Sequence, residues 1–198
     1  MTERLLVLAC GALAREIRAV LDQTATGHAD LRALPAILHN RPDRIVPALE
    51  AALTDRAAYD RVFVAYADCG TGGAVAALCD RIGATMLPGP HCYAVYDAAF
   101  MDRGEIDAFY VTDFLARQFD SFVIRPLGLD RHPELRDAYF GHYRTLVHLA
   151  QADDPTLTRK ARAAADRLRL HYERRFTGLS GLARRIAPSP TCAESSGR

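Results

Sequence analysis

Thiol and imidazole side chains stand at four points where the chain leaves an apolar run or a turn: Cys10, His39, Cys69 and the pair His91-Cys92. Thiolate and imidazole are the donors of zinc, and three thiolates with one imidazole complete a tetrahedral set. An iron–sulfur cluster accepts the same groups, usually as four thiolates. The expected centre is therefore zinc or an iron–sulfur cluster held by Cys10, Cys69 and Cys92, with His39 or His91 as a further ligand. No pair has zinc-finger spacing, so the case depends on the elements that carry these residues. A single cysteine can equally be a small buried apolar side chain. That reading is taken for Cys79, in a helical stretch with Ala76 and Leu78, while Cys192 is read as incidental.

Cys69 has a second reading. A thiol on a strand-to-helix turn gains thiolate character from the helix N-terminus, so Cys69 is an alternative nucleophile with His91 or His39 as its base. The flanking residues do not form a hydrolase elbow, because Ala67 stands where the first glycine belongs. Six residues after Cys10, Cys69 and Cys92 come Glu16, Val75 and Ala98, not the arginine of a phosphatase loop. Gly70, Gly72 and Gly73 could cradle a phosphate-bearing cofactor at a helix N-terminus. The competing reading is a tight turn that needs glycine, and the third glycine of the dinucleotide fingerprint is absent.

These residues need a frame, and the hydropathy pattern supplies one. Leu5–Ala9 reads as a buried strand bounded by Gly11, with a helix over about 12–21. A second strand is expected within 31–38, weakened by Pro35. Pro42 suits a first helical position, ahead of a stripe of Ile45, Leu49, Ala52 and Leu53 that Pro47 interrupts. Residues 62–66 are the clearest strand, rich in β-branched and aromatic side chains. Further strands are expected at 85–87, 108–112 and 122–124, and helices over 133–151 and 155–168, the latter capped by Asp154. In this scheme His142 and His148 lie on a helix, and the basic run from Arg159 to Arg185 forms a solvated helical face.

Strands alternating with helices imply βαβ units. The expected fold is α/β, a mainly parallel sheet with helices on both faces in a Rossmann-like three-layer sandwich, plus a helical C-terminal layer. One domain over 1–187 and a disordered tail over 188–198 are expected. Ligands of such sheets bind outside the carboxyl ends of the strands, where Cys10, His39, Cys69 and His91-Cys92 fall.

Composition narrows the function. Twenty-five basic residues balance 24 acidic ones, for a net charge of +1, which argues against nucleic acid or an anionic membrane as partner. Lys160 is the only lysine, so no Walker-type phosphate loop exists. Five widely spaced cysteines do not make a disulfide framework, and suggest reduced cytoplasmic thiols. The apolar run before Cys10 is too short for a secretory signal, for which roughly 7–15 residues are needed.

The segments LACGAL, LHNRPDRI, VFVAYADCGTGG, PGPHCY and FYVTDFLARQFD…LGLDRHPEL together resemble the domain-of-unknown-function family number sixteen-thirty-eight, over about 5–182. Many members carry His-Asp-Cys in the last cysteine loop, and this chain has His91-Cys92-Tyr93, its thiol one residue earlier. Genes of the family often neighbour corrinoid-dependent methyltransferases of the trimethylamine type. The resemblance thus implies an accessory role in methylamine or one-carbon metabolism, with a corrinoid protein or methyltransferase as partner.

Overall fold

The computed structural model describes residues 3–23, 29–97 and 105–186. The tail over 188–198, with Cys192, lies outside them, as does Ala98. Among the described residues the chain forms seven strands and seven α-helices in an α/β arrangement with parallel pairing throughout. Four strands make the first sheet: β1 (Leu5–Cys10), β2 (Ala29–Leu34), β3 (Arg61–Ala65) and β4 (Thr85–Met86), in the order β2-β1-β3-β4. Three make the second: β5 (Ala108–Thr112), β6 (Thr145–Ala150) and β7 (His171–Phe176), in that order.

Every residue of β1 is buried, as a strand covered on both faces requires. Leu5, Val7 and Ala9 pack with Ile17, Val20 and Leu21 of α1 (Ala14–Gln23) and with Leu182 and Ile186 of α7 (Ser180–Ile186). Leu6, Leu8 and Cys10 face the other way, onto Ile45 and Leu49 of α2 (Ile45–Ala51) and Val75, Leu78 and Cys79 of α3 (Ala74–Ile82). Tyr110, Val147 and Leu149 of the second sheet join the first of these clusters, so both sheets share one core layer. The far side of the second sheet packs Val111 and Leu146 against α4 (Asp113–Phe119) and α6 (Pro155–Leu168). Each buried Val, Leu or Ile side chain among these contributes about 1.5–3 kcal/mol by leaving water.

Several elements depart from the sequence pattern. The stretch 133–151 is not one helix: it holds the short α5 (Arg136–Phe140) and then β6. Its five consecutive fully buried residues, Leu146–Ala150, suit a central parallel strand and not an amphipathic helix. Residues 120–124 form a π-helical turn in place of the expected strand. β7 is not part of a helical face; it is an edge strand whose Arg174 and Arg175 pair with Asp153 and Glu105. The expected helical C-terminal layer is thus α6 and α7 placed around two more strands. Asp154 caps α6 as expected, accepting from the backbone N–H of Thr156 and Leu157. Pro47 also finds its explanation: it is the third residue of α2, where a missing N–H removes no intrahelical bond.

Candidate metal and thiol site

The order β2-β1-β3-β4 sends successive connections to opposite sides of β1, which makes a crevice at the carboxyl ends of β1 and β3. Cys10 is the last residue of β1 and Cys69 follows β3. The chain turns tightly after Cys10: a Cβ on Gly11 would lie 2.7 Å from the Leu34 carbonyl oxygen, so only glycine fits there. The Cys69 loop and the 88–92 loop are tied by backbone bonds, Asp68 N to Gly89 O at 3.2 Å and Cys69 N to Pro90 O at 2.8 Å. Cys69 and Gly70 both adopt positive φ, +50° and +80°, and this sharp turn aims Cys69 back into the crevice.

One cavity of about 240 Å³ collects the expected donors: Cys10, His39, Cys69, His91 and Cys92 all line it, with Tyr93, Tyr110 and Thr112. Cys69 Sγ and Cys92 Sγ are 2.8 Å apart, and all four described cysteines are free thiols. The Cys92 thiol, acting as donor, holds the Cys69 pKa below its ordinary value, assisted by backbone groups of Cys92 and Ala67 against the effect of burial. The same hydrogen bond, then burial, pushes the Cys92 thiol well up. Burial also raises Cys10. Cys69 is therefore the thiol of the set that loses its proton most easily. In metal-free protein its alkylation by iodoacetamide should show a pH inflection below that of an ordinary thiol. Cys92→Ala removes the donor, so the inflection should move up and the rate near neutral pH should fall. An unmoved inflection would show that Cys92 does not stabilise the thiolate.

Both imidazoles are shifted toward the neutral form. Burial lowers the His39 pKa, helped by His91, and burial lowers that of His91 against the pull of Asp68. Tyr66, which no sequence motif singles out, is 1% exposed, and its hydroxyl interacts with the Cys10 thiol without reaching a hydrogen bond of ordinary geometry. The available signal is a polar atom at the end of a buried strand run. Tyr93 is a second residue outside the expected set; its ring stacks on His91 at 5.1 Å and on Tyr110 at 5.6 Å, forming one wall. Among the described residues, no group of three or more His, Cys, Asp or Glu side chains is placed so that it could hold a metal ion.

The glycine loop has a different employment from phosphate binding. Gly70 lines the cavity, but the Gly73 N–H donates to Asp68 Oδ1 at 2.6 Å, and the backbone of Gly72 and Gly70 together with the Thr71 hydroxyl also serves that carboxylate. These bonds hold the Asp68 pKa low. The anion at this nest is the chain's own, which fits the tight-turn reading of Gly70, Gly72 and Gly73. Cys79 is 2% exposed within the α3 core and its thiol is pushed up to about 11 by burial. Cys79→Ala should cost about 1 kcal/mol in urea unfolding, as a small core truncation, and leave metal content unchanged. Loss of metal in that variant would mean the ligand set is misassigned.

A second polar centre lies at the ends of β5 and β6. His148, fully buried in β6 and not on a helix, meets Asp113 Oδ1 through Nε2 at 2.9 Å and Tyr172 Oη through Nδ1 at 3.1 Å. Asp113 Oδ2 accepts from the N–H of Gln151 (3.2 Å) and Ala152 (2.9 Å), and the Gln151 side chain accepts from Asp113 N at 2.9 Å. These bonds tie three strands together beside Thr112, which lines the thiol cavity. Among the described residues, no helix is long and apolar enough to cross a membrane.

A family model described as "Protein of unknown function (DUF1638)" matches residues 33–186, a stretch that holds His39, Cys69, His91 and Cys92. Comparison with curated proteins gives no match, and neither does comparison with solved structures.

Proposed function

We propose a metal-binding role from this premise: the chain belongs to the DUF1638 family of proteins of unknown function. The proposed ligands are Cys10, Cys69 and Cys92, completed by His39 or His91, and the bound group is zinc or an iron–sulfur cluster. The observation that carries this reading is that all five donors, drawn from four strand ends, line one cavity. Two features add support. The Cys69 thiol is eased toward deprotonation, and burial favours the neutral form of both imidazoles, the directions that ligation requires. An accessory role beside corrinoid-dependent methyl transfer is carried by the family resemblance and not by the geometry.

A second reading makes Cys69 a nucleophile with His91 or His39 as base, and the same thiolate favours it. Titration of metal-free protein with zinc separates the two. The metal reading expects one zinc per chain and loss of reactivity at Cys69 and Cys92 together, with binding abolished by Cys69→Ser. Zinc binding at full stoichiometry by Cys69→Ser would move the assignment to the nucleophile.

A further inference from the structure

We propose that Cys69 and Cys92 form a reversible dithiol–disulfide couple, and that its closure by an external disulfide empties the metal site. The couple stands on geometry alone; its effect on metal rests on the reading above. The two sulfurs are 2.8 Å apart, and a disulfide needs about 2.05 Å. The backbone bonds from Asp68 N to Gly89 O and from Cys69 N to Pro90 O hold the loops that carry them side by side. Closure therefore asks for a sulfur displacement of less than an ångström, with the loops already fixed. Both residues are half-buried and line the cavity, so a small disulfide can approach from that side. Cys10 and Cys79 are buried, which leaves Cys69 and Cys92 as the exchange-competent pair among the described cysteines.

The chemistry balances as ordinary thiol–disulfide exchange. The Cys69 thiolate attacks one sulfur of the incoming disulfide, whose S–S bond breaks and releases one thiolate, protonated by solvent. Cys92 then loses its proton to solvent and attacks the Cys69 sulfur of the mixed disulfide, expelling the second thiolate. Two electrons pass from the protein dithiol to the small disulfide, which leaves as two thiols, and an added dithiol reverses the sequence. In the closed form neither sulfur is a thiolate, so two of the three sulfur ligands are lost together.

The test uses metal-free protein, oxidised glutathione as probe, intact mass and peptide mapping. Wild type should lose two hydrogens and yield a Cys69–Cys92 cross-linked peptide that dithiothreitol removes. Cys92→Ser should stop at a glutathione adduct on Cys69. Zinc held at ~100 times its dissociation constant leaves about one site in 100 empty and should slow closure about 100-fold. Glutathione adducts without the cross-link in wild type, or a cross-link through Cys10, would overturn the couple while leaving the metal reading intact. Closure at the same rate with and without zinc would overturn the emptying of the metal site and count against the metal reading, while the couple itself stands.

Discussion

Asp113→Ala should lower the melting temperature by about 10 °C without touching a thiol. The Asp113 side chain is almost wholly excluded from solvent and accepts hydrogen bonds from two backbone N–H groups while meeting His148 Nε2. Alanine leaves the buried Gln151 N–H and the His148 ring nitrogen without that partner, while the more exposed Ala152 N–H can turn to water. Each such orphan costs about 1–3 kcal/mol, so a total near 4 kcal/mol follows. At roughly 2–4 °C per kcal/mol for a chain of this size, that is about 10 °C. Asp113→Asn keeps one acceptor oxygen and should lose less. The centre also sets where β5 ends, and so where Thr112 meets the thiol cavity. Thermal unfolding of the two variants checks the account, and a shift of only a degree or two for Asp113→Ala would show that the network does not hold the strands.

The second large effect is on stability through metal. The folded core does not depend on the centre: β1 is buried along its whole length and three apolar clusters pack the two sheets. Metal-free protein should therefore remain folded, unlike a zinc finger. A ligand that binds only the folded state adds about 2.7 kcal/mol when held at ~100 times its dissociation constant. Saturating zinc should thus raise the melting temperature by roughly 5–10 °C, and chelation should reverse the rise. Cys69→Ser should melt near the metal-free wild type and answer to neither treatment. A chelator response of full size in Cys69→Ser would place the ligand elsewhere.

The parts of this molecule legible in its sequence are those determined by neighbours along the chain. β1 and β3 show as short apolar runs, the cap of α6 shows as Asp154 before Pro155, and the carboxyl ends of the strands follow from the alternation of elements. The shared cavity follows from that topology, and the five donors that line it all fall at strand ends on sequence grounds. What hides from the sequence depends on distant partners. His148 looks wrong for a buried strand until Asp113, 35 residues earlier, meets it. The charged residues of β7 resemble a solvated face because their counter-ions lie on other elements, Glu105 among them. The contact between Cys69 and Cys92 spans 23 residues and is set by backbone bonds between two loops. Asp68 filling its own glycine nest requires a side-chain direction that no motif encodes.

Elemental analysis of anaerobically purified protein, with Cys69→Ser purified in parallel, tests the central claim most directly. The geometry of Cys10, Cys69 and Cys92 around one cavity predicts zinc or iron with the wild type in a fixed ratio to the chain, and none with the variant. Wild type that carries no zinc or iron after anaerobic purification and takes up none when either is supplied would contradict it.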